Sequence, residues 1–144
     1  MAKDRFKTIC AVYLLLFKED AVLLLRRCGT GYHDGDYSLP AGHLETKESL
    51  TETLFRETKE EIGIDLNIEK TKLVHVMHRS KLKPPYFDFF FSSAEWKGTP
   101  SILEPNKCDD LQWFPMSDLP TNIIPYIRSA ISAVCENKFY SENS

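Results

Sequence analysis

The stretch from Gly42 to Ile64 reads GHLETKESLTETLFRETKEEIGI, and it decides how the rest of the chain is interpreted. It contains six glutamates against one arginine and two lysines. An α-helix turns by about 100° per residue, so an apolar stripe that starts at Leu50 reaches roughly 120° by Ile62. On the same scale Glu57 lies at about −20° and Glu61 at about +20°. Two carboxylates therefore share one edge of the helix face that should pack against the core.

Carboxylates in such a position need a positive partner, because an unpaired buried carboxylate is very costly. A divalent cation, which binds oxygen ligands, is one such partner. The alternative is an exposed or salt-bridged helix face, since acidic runs are often solvated. The spacing favours a metal ion held by Glu57 and Glu61, with Glu60 near enough to serve as a further ligand.

The helix itself is predicted to run from about Lys47 to Ile62. Glu45 or Thr46 is expected to cap its first turn, and Gly63 is suited to ending it. Gly42 precedes the helix in a segment where glycine allows a tight backbone turn.

These residues resemble the Nudix box, G-x5-E-x7-R-E-U-x-E-E-x-G-U, in which U is an aliphatic residue. One position departs from the pattern, because Thr58 stands where an aliphatic residue is expected, although its methyl group can still pack. Several fixed positions within one short stretch are far more specific than a lone glycine motif. The matching residues are Gly42, Glu48, Arg56, Glu57, Glu60, Glu61, Gly63 and Ile64.

The resemblance implies an α/β fold, a Nudix-type α/β/α sandwich around a mixed β-sheet, formed by residues 1–144 as a single domain. It implies Mg²⁺-dependent hydrolysis of a nucleoside diphosphate linked to a group X, with Mn²⁺ able to substitute. The small MutT-like enzymes, which convert a nucleoside triphosphate to a monophosphate and pyrophosphate, are the most similar. A nucleotide-sugar or ADP-ribose pyrophosphatase, a non-catalytic nucleotide-binding regulator and an isoprenoid diphosphate isomerase are the alternatives.

The resemblance also suggests roles for individual residues. Glu57, Glu61 and Glu60 would bind the metal ion, together with the main-chain carbonyl of Gly42. Arg56 would orient a glutamate, and Glu48 would pair with Arg56 or hold the entry to the helix. Several carboxylates could serve as the general base that activates water: Glu60, Glu104, Asp109 and Asp110.

Substrate contacts are predicted on other segments. Arg26 and Arg27 end a strand, and a planar guanidinium suits phosphate, although a solvated arginine is an equally good interpretation. Tyr32, in the glycine-rich loop 29–36, could stack on a base or cover the edge of the core. Tyr86 could line a nucleobase pocket. Asp110 is the fifth residue predicted to contact the substrate.

Composition sets further limits. A chain of 144 residues is long enough for one domain with its own core. Its net charge of −3 gives no basic footprint for a nucleic-acid backbone, so a small nucleotide is the expected partner. The four cysteines form no C-x-x-C pair, which indicates reduced thiols and a cytoplasmic protein. The apolar run Thr8–Phe17 is too short for a membrane helix. A monomer or a homodimer fits these data.

Patterns elsewhere predict a β-hairpin from 8–17 and 21–27, and further strands at 72–79, 86–92 and 111–114. Leu39 and Pro40 are expected to form a short strand and its end. A second helix is predicted near 123–137, starting close to Pro125. Residues 141–144 are expected to be frayed.

Overall fold

The computed structural model describes residues 4–143. Within this range there are two α-helices, α1 (Leu50–Ile62) and α2 (Pro125–Cys135), and a 3-10 turn at Ile68–Lys70. The strands are β1 (Ile9–Lys18), β2 (Ala21–Arg27), β3 (Tyr37–Ser38), β4 (Ala41–His43), β5 (Asp65–Leu66), β6 (Thr71–Arg79), β7 (Tyr86–Ser93), β8 (Trp96–Lys97), β9 (Cys108–Pro115) and β10 (Tyr140–Glu142).

The main sheet is mixed, with the strand order β10-β6-β7-β1-β2-β3. Strand β4 pairs with β1, and β9 pairs with β2. Strands β1 and β7 run parallel, as do β6 and β10, whereas the remaining pairs are antiparallel. Strands β5 and β8 form a separate two-stranded sheet. Strand β1 is therefore central, which explains why its apolar run is buried on both faces.

Alternate residues of β1 contribute to two different cores. Tyr13 and Leu15 belong to the cluster that contains Ile127 and Ile131 of α2. Val12, Leu14 and Leu16 belong to the other cluster, which contains Leu54 and Ile62 of α1. The helices thus cover opposite faces of the mixed sheet, and the predicted α/β/α sandwich is confirmed.

Several local predictions are also confirmed. Strands β1 and β2 pair in antiparallel fashion through Phe17 and Val22, as expected for the hairpin. Gly63 ends α1 in the left-handed conformation with φ of 73°. Pro125 is at the start of α2. Neither helix in the described part of the chain has the length and hydrophobicity needed to cross a membrane.

Other local predictions were wrong. Ser49, rather than Glu45 or Thr46, caps α1, because Ser49 and Glu52 form a reciprocal capping box. Leu39 and Pro40 lie between two short strands instead of forming one, and Gly42 lies within β4 instead of in a tight turn. Tyr140–Glu142 pairs with β6, so the segment expected to fray forms an edge strand up to residue 142; Ser144 lies outside the described residues.

Candidate active site

Arg56 lies at the centre of the carboxylates on α1. Its Nε and Nη2 donate to the two carboxylate oxygens of Glu48, at 2.7 and 2.9 Å. Its Nη1 donates to Oε1 of Glu57 at 2.8 Å and contacts Glu60 at 3.5 Å. These bonds to Glu48, then Glu57, raise the pKa of Arg56, so the guanidinium stays charged. Nη2 also lies 3.7 Å from Oε1 of Glu45, so the salt-bridged interpretation applies to four of the six glutamates.

The pairing of Glu48 with Arg56 makes the free energy of unfolding depend on pH. The hydrogen bonds from Arg56 lower the pKa of Glu48 from 4.5 to about 2. A carboxyl group whose pKa is depressed by folding stabilises the fold above its unfolded pKa, and this contribution is lost as the pH falls. We expect the stability difference between wild type and Glu48→Gln to be largest above pH 4.5 and to shrink steadily as the pH falls toward 2. Urea unfolding in EDTA from pH 7 to 3 measures it, with Glu69→Gln as the exposed control.

Glu57 packs directly against the backbone of Gly42. A Cβ atom placed on Gly42 would lie 2.2 Å from Cγ and 2.7 Å from Oε1 of Glu57. Gly42 does not have a positive φ, so it is needed here for close approach and not for an unusual backbone conformation. This contact shows that α1 lies directly against β4, whereas the role of the Gly42 carbonyl as a metal ligand stays a prediction.

Gly42→Ala tests this contact. The new methyl group must push the carboxylate of Glu57 aside, while the backbone conformation of Gly42 suits alanine. We expect folding to be retained and turnover to fall by about 100-fold, the typical effect of a misplacement near 1 Å. The double variant Gly42→Ala/Glu57→Gln should lose no more activity than Glu57→Gln alone, because both changes act through one carboxylate. Losses that multiply would contradict this coupling.

Glu61 is positioned differently from Glu57. The backbone N–H of Ala41 donates to its Oε1 at 3.1 Å. No basic side chain within residues 4–143 forms a salt bridge with it. Burial raises the pKa of Glu61, and the neighbouring carboxylate of Glu57 raises it further. Glu61 therefore combines a buried carboxylate with the lack of a cationic side-chain partner among residues 4–143.

This arrangement fits a divalent cation. A cation beside Glu57 and Glu61 would offset the repulsion between the two carboxylates and the cost of burying Glu61. No three histidine, cysteine, aspartate or glutamate side chains between residues 4 and 143 are grouped closely enough to hold a metal ion by themselves. The structure thus does not group Glu60, whose side chain is 53% exposed, with the pair. Two carboxylates are nevertheless a normal protein contribution for Mg²⁺, which keeps several waters and binds substrate oxygens.

A cavity of about 540 Å³ opens on the other side of β4. Ala41, Gly42 and His43 form part of its wall. Three of the residues predicted to bind substrate line it as well, namely Arg27, Tyr32 and Tyr86. The Nε of Arg27 donates to the backbone oxygen of Tyr32 at 2.7 Å, and its guanidinium lies 5.3 Å from the centre of the Tyr32 ring.

A smaller cavity of about 110 Å³ adjoins the first. Arg27 and Ala41 line both cavities, and the smaller one also contains Glu61, Glu104 and Lys107. Glu104 reaches this place because Leu103 donates its backbone N–H to the carbonyl of Glu61 at 3.2 Å. One of the predicted base candidates therefore lies in the same small cavity as Glu61.

The remaining predicted residues point to other partners. The Nε of Arg26 donates to Asp109 at 2.7 Å, so these two side chains pair with each other. Asp110 accepts hydrogen bonds from the hydroxyl of Tyr37 and from Gln112. Neither Arg26 nor Asp110 lines the 540 Å³ cavity, so the structure does not bring them to the other candidate substrate contacts.

A buried ion pair that the sequence does not predict lies beside the 540 Å³ cavity, which is lined by the arginine of the pair. Arg79 donates through Nε and Nη2 to the two oxygens of Asp88, at 2.5 and 3.0 Å. Arg79 is 6% exposed and Asp88 is fully buried. A lone aspartate within the aromatic strand YFDFFFS was the available signal, because a buried carboxylate needs a partner.

Comparison with known proteins agrees with the fold and the motif. The NUDIX domain family model matches residues 7–133. The chain is 34% identical over 119 residues to the 8-oxo-dGDP phosphatase NUDT18 of Homo sapiens, which covers 80% of this chain and 35% of that protein. It is 33% identical over 112 residues to the NAD-capped RNA hydrolase NudC of Pseudomonas entomophila strain L48. That match covers 76% of this chain and 37% of the relative. The chain thus spans about a third of the length of these relatives.

Among solved structures, the MutT NUDIX hydrolase from Burkholderia pseudomallei superposes with a TM-score of 0.80 at 23% identity, over 88% of this chain and 97% of that one. A NUDIX hydrolase from Nitrosomonas europaea superposes with a TM-score of 0.77 at 23% identity, over 93% of each chain. These likenesses agree on the fold, while the family model spans most of the sequence and includes the whole acidic helix. The chain therefore belongs to the NUDIX domain family.

Proposed function

We propose that this chain hydrolyses a phosphoanhydride bond of a nucleoside diphosphate linked to a group X, with Mg²⁺ or Mn²⁺ as its cofactor. The observation that carries the proposal is the position of the carboxylate pair beside a ligand-sized cavity. Strand β4 separates the two, and Ala41 contacts both. A volume of about 540 Å³ lies within the range of small-molecule sites. A nucleoside triphosphate, cleaved to a monophosphate and pyrophosphate, is the substrate we favour.

Different residues are assigned to metal binding, to positioning of a carboxylate and to phosphate binding. Phosphoryl transfer needs the phosphates held, their charge neutralised and a water aimed in line. Glu57, Glu61 and the carbonyl of Gly42 would hold the metal ion, which supplies charge neutralisation when it is bound. Arg56 keeps the carboxylate of Glu57 in place through its Nη1. Arg27, whose side-chain partners are neutral oxygens, keeps an unbalanced positive charge at the cavity wall for a phosphate.

Glu104 is the general base that the contacts favour. Asp109 is paired with Arg26, Asp110 accepts two hydrogen bonds, and Glu60 contacts Arg56. Glu104 has no side-chain hydrogen bond among the described residues and shares the small cavity with Glu61.

Glu104→Gln should therefore lower turnover by roughly 100-fold or more, the usual contribution of a general base, with little change in substrate KM. Steady-state kinetics measures both constants. Asp109→Asn and Asp110→Asn serve as the comparison, and a larger loss in either would move the role of base to that residue.

The similarity to NUDT18 supports a second candidate substrate. That relative is named for 8-oxo-dGDP, a nucleoside diphosphate, and it matches 80% of this chain. A diphosphate substrate would yield a monophosphate and inorganic phosphate at the same metal site. The NudC relatives are named for NAD-capped RNA, and a substrate of that type would replace the expectation that no nucleic acid binds.

A substrate screen with product identification tests the proposal. The panel contains nucleoside triphosphates, 8-oxo-dGDP, NAD⁺, ADP-ribose, a nucleotide sugar and isopentenyl diphosphate, each with Mg²⁺ or EDTA. Hydrolysis in ¹⁸O-labelled water followed by ³¹P spectroscopy identifies which phosphorus is attacked. We expect one nucleotide class to be consumed only with the metal. Nucleotide binding without turnover would indicate a regulator, and conversion of isopentenyl diphosphate alone would indicate the isomerase.

A further inference from the structure

Arg79, which forms a buried ion pair with Asp88, lines the 540 Å³ cavity, and the reaction described above does not use this pair. Strands β6 and β7 are antiparallel neighbours, with Arg79 opposite Tyr86 and Met77 opposite Asp88. The guanidinium of Arg79 also lies 3.8 Å from the centre of the Tyr126 ring and 4.6 Å from that of Tyr86. Asp88 therefore binds one edge of the guanidinium, and aromatic rings pack against it.

The other edge of the guanidinium is available to a ligand. Nε and Nη2 donate to Asp88, and Nη2 also approaches the hydroxyl of Tyr13 at 3.4 Å. Nη1 has no acceptor among residues 4–143, yet the described chain contains no enclosed side-chain nitrogen or oxygen without a partner. Nη1 is therefore not sealed inside the core. Since Arg79 lines the cavity and its Nε and Nη2 are already hydrogen-bonded, Nη1 is the guanidinium nitrogen left to donate to a ligand there.

The chemistry of this donor restricts what can bind next to it. A guanidinium carries only donors, and hydrogen bonding to Asp88 raises the pKa of Arg79 against the opposing effect of burial, so it remains charged. It can bind an oxo group and cannot bind the hydrogens of an amino group. Its charge is balanced by Asp88, whereas Arg27 and Lys83 form no salt bridge in the described structure and line the same cavity. A phosphate is thus better matched by those two side chains, and a neutral oxo group by Arg79.

From this geometry we infer that Arg79 is a specificity-determining residue, which selects nucleobases that present an oxo oxygen to Nη1 over those that present an amino group. The inference rests on the proposed function, because it places the nucleobase in this cavity. Asp88 acts as a positioning residue, since it fixes the guanidinium through two hydrogen bonds. The aromatic rings of Tyr86 and Tyr126 hold the same guanidinium against rotation.

Inosine and adenosine triphosphates form a suitable pair of probes, because their bases carry an oxo and an amino group at the same carbon. We expect wild type to prefer the inosine nucleotide by about 10- to 100-fold in kcat/KM, as a wrongly matched donor or acceptor typically costs. The binding of the two monophosphates, measured by calorimetry, should show the same order. Arg79→Lys keeps the charge but loses the planar fork, so the preference should fall.

Replacing only one residue of a buried ion pair strongly destabilises the fold. The double variant Arg79→Met/Asp88→Leu therefore provides the decisive test. Apolar replacement of both members is often tolerated. We expect this variant to fold, to hydrolyse both nucleotides and to show a preference close to 1. Arg128→Met, an exposed change on α2, should retain the wild-type preference.

The outcomes separate the two proposals. Hydrolysis by wild type without an oxo preference, or a preference that persists in the double variant, would overturn the role of Arg79 and leave the proposed function standing. A wild-type protein that neither binds nor hydrolyses any nucleotide would overturn both.

Discussion

Glu57→Gln and Glu61→Gln should each reduce Mg²⁺-dependent turnover by at least about 100-fold while the protein stays folded. Loss of a residue that only supports a metal ligand typically costs 10- to 100-fold, so loss of a direct ligand should cost more. The amide keeps the shape of the side chain and removes the negative charge. Initial rates at saturating substrate and increasing Mg²⁺ measure the effect, with Glu69→Gln as the matched acid-to-amide control on an exposed segment.

The two variants should differ in stability. Glu61 has no cationic side-chain partner among the described residues, and its pKa is raised by burial and by Glu57, so Glu61→Gln should unfold at the same temperature as wild type or higher in EDTA. Glu57→Gln loses a hydrogen-bonded charge partner of Arg56 and should be slightly less stable. Mn²⁺ should raise the unfolding temperature of wild type and not of either variant. Full activity in either variant would contradict the assignment of the metal ligands.

Arg79→Met should lower the free energy of unfolding by roughly 3–5 kcal/mol, because it leaves the carboxylate of Asp88 buried without its partner. Asp88 is fully buried and Arg79 nearly so, so water offers little compensation. The double variant Arg79→Met/Asp88→Leu should recover most of this loss. Urea unfolding of Arg79→Met, Asp88→Leu and the double variant gives the coupling energy between the two residues. Arg128→Met gives the cost of losing an arginine on the surface.

Additive losses of stability in this double-mutant cycle would contradict the proposed dependence of Arg79 and Asp88 on each other. If the double variant were destabilised by the sum of the two single losses, Arg79 and Asp88 would be stabilising the fold independently. The pair would then not be the neutral, mutually dependent unit on which the base-selection inference relies. A partially restored double variant with normal unfolding cooperativity would support it.

The sequence was most informative where structure depends on short-range patterns. The apolar run of β1, the stripe on α1 and the glycine after it each carry their own signal, so their elements were predicted closely. The start of α1 was misplaced because several polar residues precede Leu50. Only the capping box of Ser49 and Glu52 distinguishes the true cap. The short strand Tyr140–Glu142 has little apolar pattern and exists because β6 offers it a free edge.

The site was predictable to a similar extent. The carboxylates of α1 are close in sequence, so helical geometry alone brings them together. Arg79 and Asp88 meet only through the register of β6 and β7, which the sequence did not specify. Arg26 was a candidate because a guanidinium suits phosphate, and Asp110 was a candidate base and substrate contact, yet nearby side chains bond to both. Local charge patterns thus predicted the carboxylate side of the candidate site, while the cavity wall required the tertiary structure.

The shared strand β4 has a thermodynamic consequence. Its backbone holds Glu61 through the N–H of Ala41, packs against Glu57 at Gly42, and borders the large cavity. A ligand that shifts β4 would alter the affinity of the proposed cation site, and reciprocity requires the cation to alter ligand affinity by the same factor. The affinity for nucleotide and the affinity for metal ion would then depend on each other, so dissociation constants measured for each ligand alone would not give the stability of the ternary complex.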